Sequence, residues 1–143
     1  MSGFFIIDTN VVVAGLLTGH SDSPVARILD GMLSAAFVFV VSEALLAEYR
    51  AVLVRPKLCK LHGLSKAEVD AILTDMARHA IELKPASSTM NPKAPDAVDQ
   101  FLWDLLVSRA DLVLVTGDKL LLQDLEMQQR VILPQVFAGQ FLH

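Results

Sequence analysis

Short, wholly apolar runs alternate along the chain with longer stretches whose apolar positions recur every three or four residues. Phe4–Ile7, Phe37–Val41 and Leu112–Val115 are aliphatic or aromatic throughout, the pattern of strands buried on both faces of a parallel sheet. Ile81–Leu83 and Val131–Leu133 are shorter runs of the same kind and predict two further strands. Between them, Ser23-Pro24 opens a helix through Leu33, with Pro24 suited to its first turn. Ser42 caps a helix to about Val54, which Arg55-Pro56 ends. Ser65 and Glu68 form a capping box for a helix to about His79, and another helix runs from about Asp96 to Ser108. Pro85 through Pro95 is a polar loop with three prolines, and a C-terminal segment begins at Pro134. This order predicts an α/β fold, a three-layer α/β/α sandwich around a central, mostly parallel sheet of four to five strands. No internal repeat or linker divides it, so residues 1–143 read as a single domain.

Composition narrows the class. A chain with 53% hydrophobic and 20% charged residues is not disordered, and 143 residues suffice for a substantial core. The net charge of −4 argues against coating nucleic acid by bulk attraction. It leaves room for holding a phosphate through bound cations, because a carboxylate cluster itself lowers the charge. Cys59 has no second cysteine to pair with, which fits a reducing, cytoplasmic setting. The stretch from Phe4 to Leu17 lacks a basic start and is interrupted by Asp8, so it does not read as a signal peptide. Phe37–Val41 falls far short of the roughly 20 apolar residues that span a bilayer, so a soluble protein without a membrane partner is expected. A mean hydropathy of +0.49 is more than one small core readily hides and suggests a homodimer.

Four acids break the apolar pattern. Asp8 and Asp118 follow strand runs, one directly and one after Thr116-Gly117, and would both emerge at the carboxyl edge of a parallel sheet. Open α/β sheets place ligands at that edge. Glu48 shares a helix face with Ala44, Leu45, Ala51 and Val52, and Asp99 lines up with Leu102, Trp103 and Leu106. Acids crowded together repel and raise one another's pKa values, and hard divalent cations relieve that strain. An oxygen-only site suits Mg²⁺ or Mn²⁺. Two such ions can activate water and hold a scissile phosphate for in-line displacement.

Each acid also has a plainer reading. Asp8-Thr9-Asn10 is a good N-cap for a following helix, Asp118 can cap a helix from Lys119, and Asp96 and Asp99 can cap a helix and complement its dipole. Glu48 could pair with Arg27 or Arg50. A single shared cause accounts for all four acids together better than separate ones do. Arg50, Arg55, Lys57, Lys60 and Lys66 fall around one helix end and the next loop, either as a solvated terminus or as a phosphate-tracking rim. His62 and His79 read as loop or helix-end residues, and Trp103 as core, with a base-stacking platform as its alternative.

Together, Ile6-Ile7-Asp8-Thr9-Asn10-Val11, Val41-Ser42-Glu43 to Glu48 with Leu53-Val54-Arg55-Pro56-Lys57, Asp99-Gln100-Phe101-Leu102 and Val115-Thr116-Gly117-Asp118 resemble a PIN domain. This nuclease module is common among bacterial and archaeal toxins of toxin–antitoxin pairs. The resemblance implies a Mg²⁺- or Mn²⁺-dependent ribonuclease that cuts single-stranded RNA, with Asp8, Glu48, Asp99 and Asp118 as catalytic, metal-binding acids. It also implies a supporting or phosphate-orienting role for Thr9, Asn10 and Thr116, and a cognate antitoxin that masks the acidic cleft. The chain departs from the family pattern at Asp96-Ala-Val-Asp99 and at Trp103, which leaves Asp96 and Asp99 as candidates for the third ligand; periodicity favours Asp99. A phosphatase of the haloacid-dehalogenase type also begins from a strand-end aspartate. That chemistry needs a second aspartate two residues on, where this chain has Asn10. The remaining alternative is a non-catalytic PIN-like scaffold that binds RNA or a protein.

Overall fold

The computed structural model describes residues 3–142. Among these residues five strands, β1 (Phe4–Ile7), β2 (Val40–Val41), β3 (Ile81–Glu82), β4 (Leu112–Val115) and β5 (Val131–Ile132), all pair in parallel. They form a three-stranded sheet, β1-β4-β5, and a two-stranded sheet, β2-β3. A bridge between Phe5 and Phe39 and the bond from Phe5 N–H to the Val38 carbonyl join the two. The run is therefore β3-β2-β1-β4-β5. The predicted second strand begins pairing at Val38, but only its last two residues form regular ladder, because Phe37 turns into an aromatic cluster instead. There Phe37 and Phe5 pack edge-on against Phe137, with ring centroids 4.9 and 4.6 Å away.

Among the described residues, eight helices flank the strands: α1 (Thr9–Leu17), α2 (Pro24–Leu33), α3 (Glu43–Leu53), α4 (Pro56–His62), α5 (Lys66–His79), α6 (Gln100–Val107), α7 (Lys119–Leu122) and α8 (Pro134–Phe141). Ser23, Ser42 and Ser65 cap α2, α3 and α5 as the sequence predicts, and the Ser65–Glu68 capping box is closed in both directions. The stretch predicted as one helix from Asp96 divides into a tight turn, Ala97–Asp99, and α6.

Two helices differ from the sequence expectation. The segment after Arg55-Pro56, read as a loop, is α4: Pro56 ends α3 and also begins the next helix, since its fixed φ suits a first turn. Gly63, in the left-handed conformation with φ of 71°, ends α4. Helix α1 is apolar nearly all round and so gives no helical stripe to read, but the cap reading of Asp8 does point to it, and Asp8 caps α1 through the Thr9 N–H. It lies close against α2, where a Cβ on Gly15 would sit 2.6 Å from the Val25 carbonyl oxygen.

A single core runs through the molecule, from Ile6, Ile7 and Leu114 in the strands to Leu45, Leu53, Met76, Leu102 and Phe137 in the helices. Trp103 is fully buried within it, which settles that residue as core and excludes a stacking platform at a site edge. Among the described residues no helix is long and apolar enough to cross a membrane.

Candidate metal and phosphate site

Because every strand runs the same way, the residues that follow β1, β2, β3 and β4 share one edge of the sheet. Asp8 leaves β1 there, and Thr116-Gly117-Asp118 leaves β4 beside it, since Ile7 pairs with Val115. Asp8 is only 6% exposed. Its Oδ1 accepts from the Thr9 N–H at 2.7 Å; its Oδ2 accepts from the Thr116 hydroxyl at 2.7 Å and the Asn10 amide at 3.2 Å. Asn10 also donates to Thr116 Oγ1 and accepts from the Gly117 N–H, while the Asp118 N–H donates to Thr116 Oγ1. Thr9, Asn10 and Thr116 thus tie two strand ends, 108 residues apart, into one network around Asp8.

Helix α3 is set against this edge by Tyr49. The only tyrosine of the chain is fully buried, and its hydroxyl donates to the Ile7 carbonyl, immediately before Asp8. That bond fixes the rotation and height of α3, and Glu48 comes with it. Nothing in the local pattern singles out Tyr49 for this task, although a lone tyrosine within an apolar stripe is a buried polar group that needs a partner.

Asp8, Glu48, Asp99 and Asp118 line one open cleft of about 520 Å³, together with Thr9, Asn10, Arg55 and an apolar wall that includes Val13, Leu17 and Val52. Asp96 does not line it; its side chain accepts from the Val98 N–H and caps the turn that delivers Asp99. Asp118 lines the cleft and also caps α7 through the Leu120 N–H. Arg55 is the one rim candidate that reaches the cleft wall. Arg50 lies on the far face of α3, where it makes a two-point ion pair with Asp70 of α5. Lys57 is exposed on α4, outside the cleft lining. His62 bridges the Leu53 carbonyl and the Leu64 N–H, holding α4 to α3.

The electrostatics are those of anions without counter-charges. Among the described residues no basic side chain forms a salt bridge with any of the four cleft acids, so neither Arg27 nor Arg50 pairs with Glu48. Burial pushes the Asp8 carboxyl up to about 6, against the pull of its bonds from Thr116 and Thr9, and the nearby charges of Asp99 and Glu48 add to the rise. Asp99 is raised as well, first by burial and then by Asp118, Asp96 and Glu48. The Thr9 hydroxyl is buried against the cleft with no protein partner.

An all-oxygen donor set, in which burial and neighbouring acids raise the Asp8 and Asp99 carboxyls, fits a hard divalent cation. Among the described residues, however, no three acidic, histidine or cysteine side chains stand close enough to make a ready-built cage. Asp8 and Asp118 are held in place by their local bonds.

No curated protein and no solved structure matches the chain. The PIN domain family matches residues 5–120, a span that takes in β1, α3, α6, β4 and all four cleft acids. The chain belongs to the PIN domain family, whose members are typically metal-dependent nucleases.

Proposed function

We propose that the protein is a Mg²⁺- or Mn²⁺-dependent endoribonuclease that hydrolyses phosphodiester bonds of single-stranded RNA, as the toxin of a toxin–antitoxin pair. One observation carries the reading: four carboxylates from distant parts of the chain line one cleft with no basic partner among the described residues. Leaving such a group of acids uncompensated costs stability, and a cation-assisted reaction gives it a use. A divalent ion bound there supplies an activated water and charge neutralisation at the scissile phosphate. The chain's own residues do the rest. Thr116, Asn10 and the Thr9 N–H fix the Asp8 carboxylate in one orientation. Arg55 offers positive charge at the wall of the same cleft. A cognate antitoxin would act by covering this cleft, with a basic side chain offsetting the acids.

The test is incubation of the purified chain with single-stranded RNA and Mn²⁺ or Mg²⁺, beside Asp8→Asn. Cleavage should require the ion and be lost in the variant; cleavage that survives the substitution removes the role given to Asp8. A small open reading frame next to the gene, whose product blocks cleavage, would support the toxin assignment.

The missing ready-built cage favours a second reading, a scaffold that binds RNA or protein without cutting. Titration calorimetry separates the two: no heat of binding with millimolar Mg²⁺ or Mn²⁺ speaks for the scaffold.

A further inference from the structure

A second hollow, of about 350 Å³, opens at the same sheet edge where β2 and β3 end. Its walls are Leu83, Lys84 and Pro85 from the end of β3, Glu43 and Ala44 from the start of α3, and Phe101 and Asp104 from α6. It adjoins the acid cleft on two elements. Ala44 stands one helical turn before Glu48 on the same face of α3, and α3 packs against α6, the helix that follows Asp99 and carries Phe101 and Asp104. The acids and the hollow therefore lie along one path between α3 and α6.

We infer that this hollow is a base-binding subsite, which takes one unpaired nucleobase beside the scissile phosphate and prefers bases that present an amino group. The inference rests on the ribonuclease reading for its substrate. Its volume is near the lower end of the range for small-molecule pockets, roughly 300–1,000 Å³, and suits one nucleoside. Phe101 is half-buried and, with Leu83 and Pro85, offers the flat apolar surface on which single-stranded bases stack. Lys84 is exposed at the wall and can meet a backbone phosphate.

Asp104 supplies the preference. Its Oδ1 accepts from Asn91 at 2.9 Å and from Gln100 at 3.1 Å, which fixes the side chain. Gln100 in turn holds the loop through the Pro92 carbonyl and the Ala94 N–H. Among the described residues no group donates to Oδ2 of Asp104, which leaves an oriented acceptor at the pocket wall. Cytosine, adenine and guanine each present an exocyclic amino group to it; uracil has only its ring N3–H to offer.

The experiment uses the whole chain, Mn²⁺ and labelled single-stranded RNAs with one cleavage point, in which each flanking nucleotide is made abasic in turn. One abasic position should lower kcat/KM about tenfold, mostly through KM. In Phe101→Leu, which keeps an apolar side chain without the ring, that penalty should vanish. Asp104→Asn should turn the free acceptor into a donor and move the preference at that position toward uracil. Lys84→Ala, at an exposed position, should raise KM and flatten the salt dependence. An abasic penalty undiminished in Phe101→Leu, or none at any position, overturns the subsite.

A second measurement needs no cleavage: chemical-shift changes at Phe101 and Lys84 on adding cytidine or uridine monophosphate to metal-free protein. Larger changes with cytidine and no cleavage of any RNA would sink the nuclease reading and keep the subsite. Cleavage with no change from either nucleotide would sink the subsite alone.

Discussion

Burial raises the Asp8 carboxyl to about 6 even though three donors hold it, so folding forces charge into a site that resists it. The unfolded chain loses this proton near 3.8, the ordinary value, and the folded chain near 6. Between these values the folded state binds the extra proton. Stability therefore falls as pH rises from about 4 to about 6, by on the order of 3 kcal/mol in total, and stays low above. Asp99 is shifted in the same direction and adds to the trend. In metal-free buffer the protein should melt at a higher temperature at pH 5 than at pH 7.5. Asp8→Asn should remove most of that difference and raise the melting temperature at pH 7.5. A flat profile for the parent chain would contradict this account. Thr116→Val removes the strongest donor to Asp8, and support residues of this kind typically contribute about 10–100-fold to activity. Its cleavage rate, measured across pH, should fall on that scale with its acid limb moved upward. Asp8 and Asp118 were legible from strand ends, and Glu48 and Asp99 from helical spacing. Of the two readings of Arg50, solvated terminus or rim, the sequence could not select, because its partner Asp70 lies on another helix and pairing between helices leaves no mark in local spacing.

Among the elements, α3 carries the most consequence for the site, because one bond from Tyr49 sets its position relative to β1. Tyr49→Phe should cost about 1 kcal/mol and should also reduce kcat, since Glu48 loses its fixed placement opposite Asp8. Ser65→Ala, which opens the capping box of α5, should cost about as much stability while leaving cleavage unchanged. Denaturant melts and turnover measured on both variants separate positioning from mere stability. The strands were legible because each is a short apolar run between turn residues. Helix α4 was not, because Pro56 can stop one helix and start another, and only the turn geometry decides. Helix α1 was legible only through its Asp8 cap, since an element apolar on nearly every side has no periodicity to detect. The hollow beside Phe101 was likewise invisible, because it needs β3, α3 and α6 to meet.

At the scale of the molecule, the high hydropathy that suggests a homodimer is largely absorbed by one continuous core. Exposed apolar side chains remain, among them Leu61, Val98, Leu120 and Leu125. A homodimer is thus a proposal for light scattering to decide, with a mass of two chains expected and a single-chain mass at working concentration against it. The fold class was legible because parallel topology follows from alternating strands and helices, and the sheet edge from parallel topology. The network around Asp8 has a consequence for synthesis. β1 has to wait for β4, and Asp8 meets the Thr116 hydroxyl only after a further 108 residues have been made. A ribosome that has delivered the first three-quarters of the chain carries Asp8, Glu48 and Asp99 without the strand that gathers them. If the proposed nuclease activity is present, it is expected only after β4 has been made and has paired with β1.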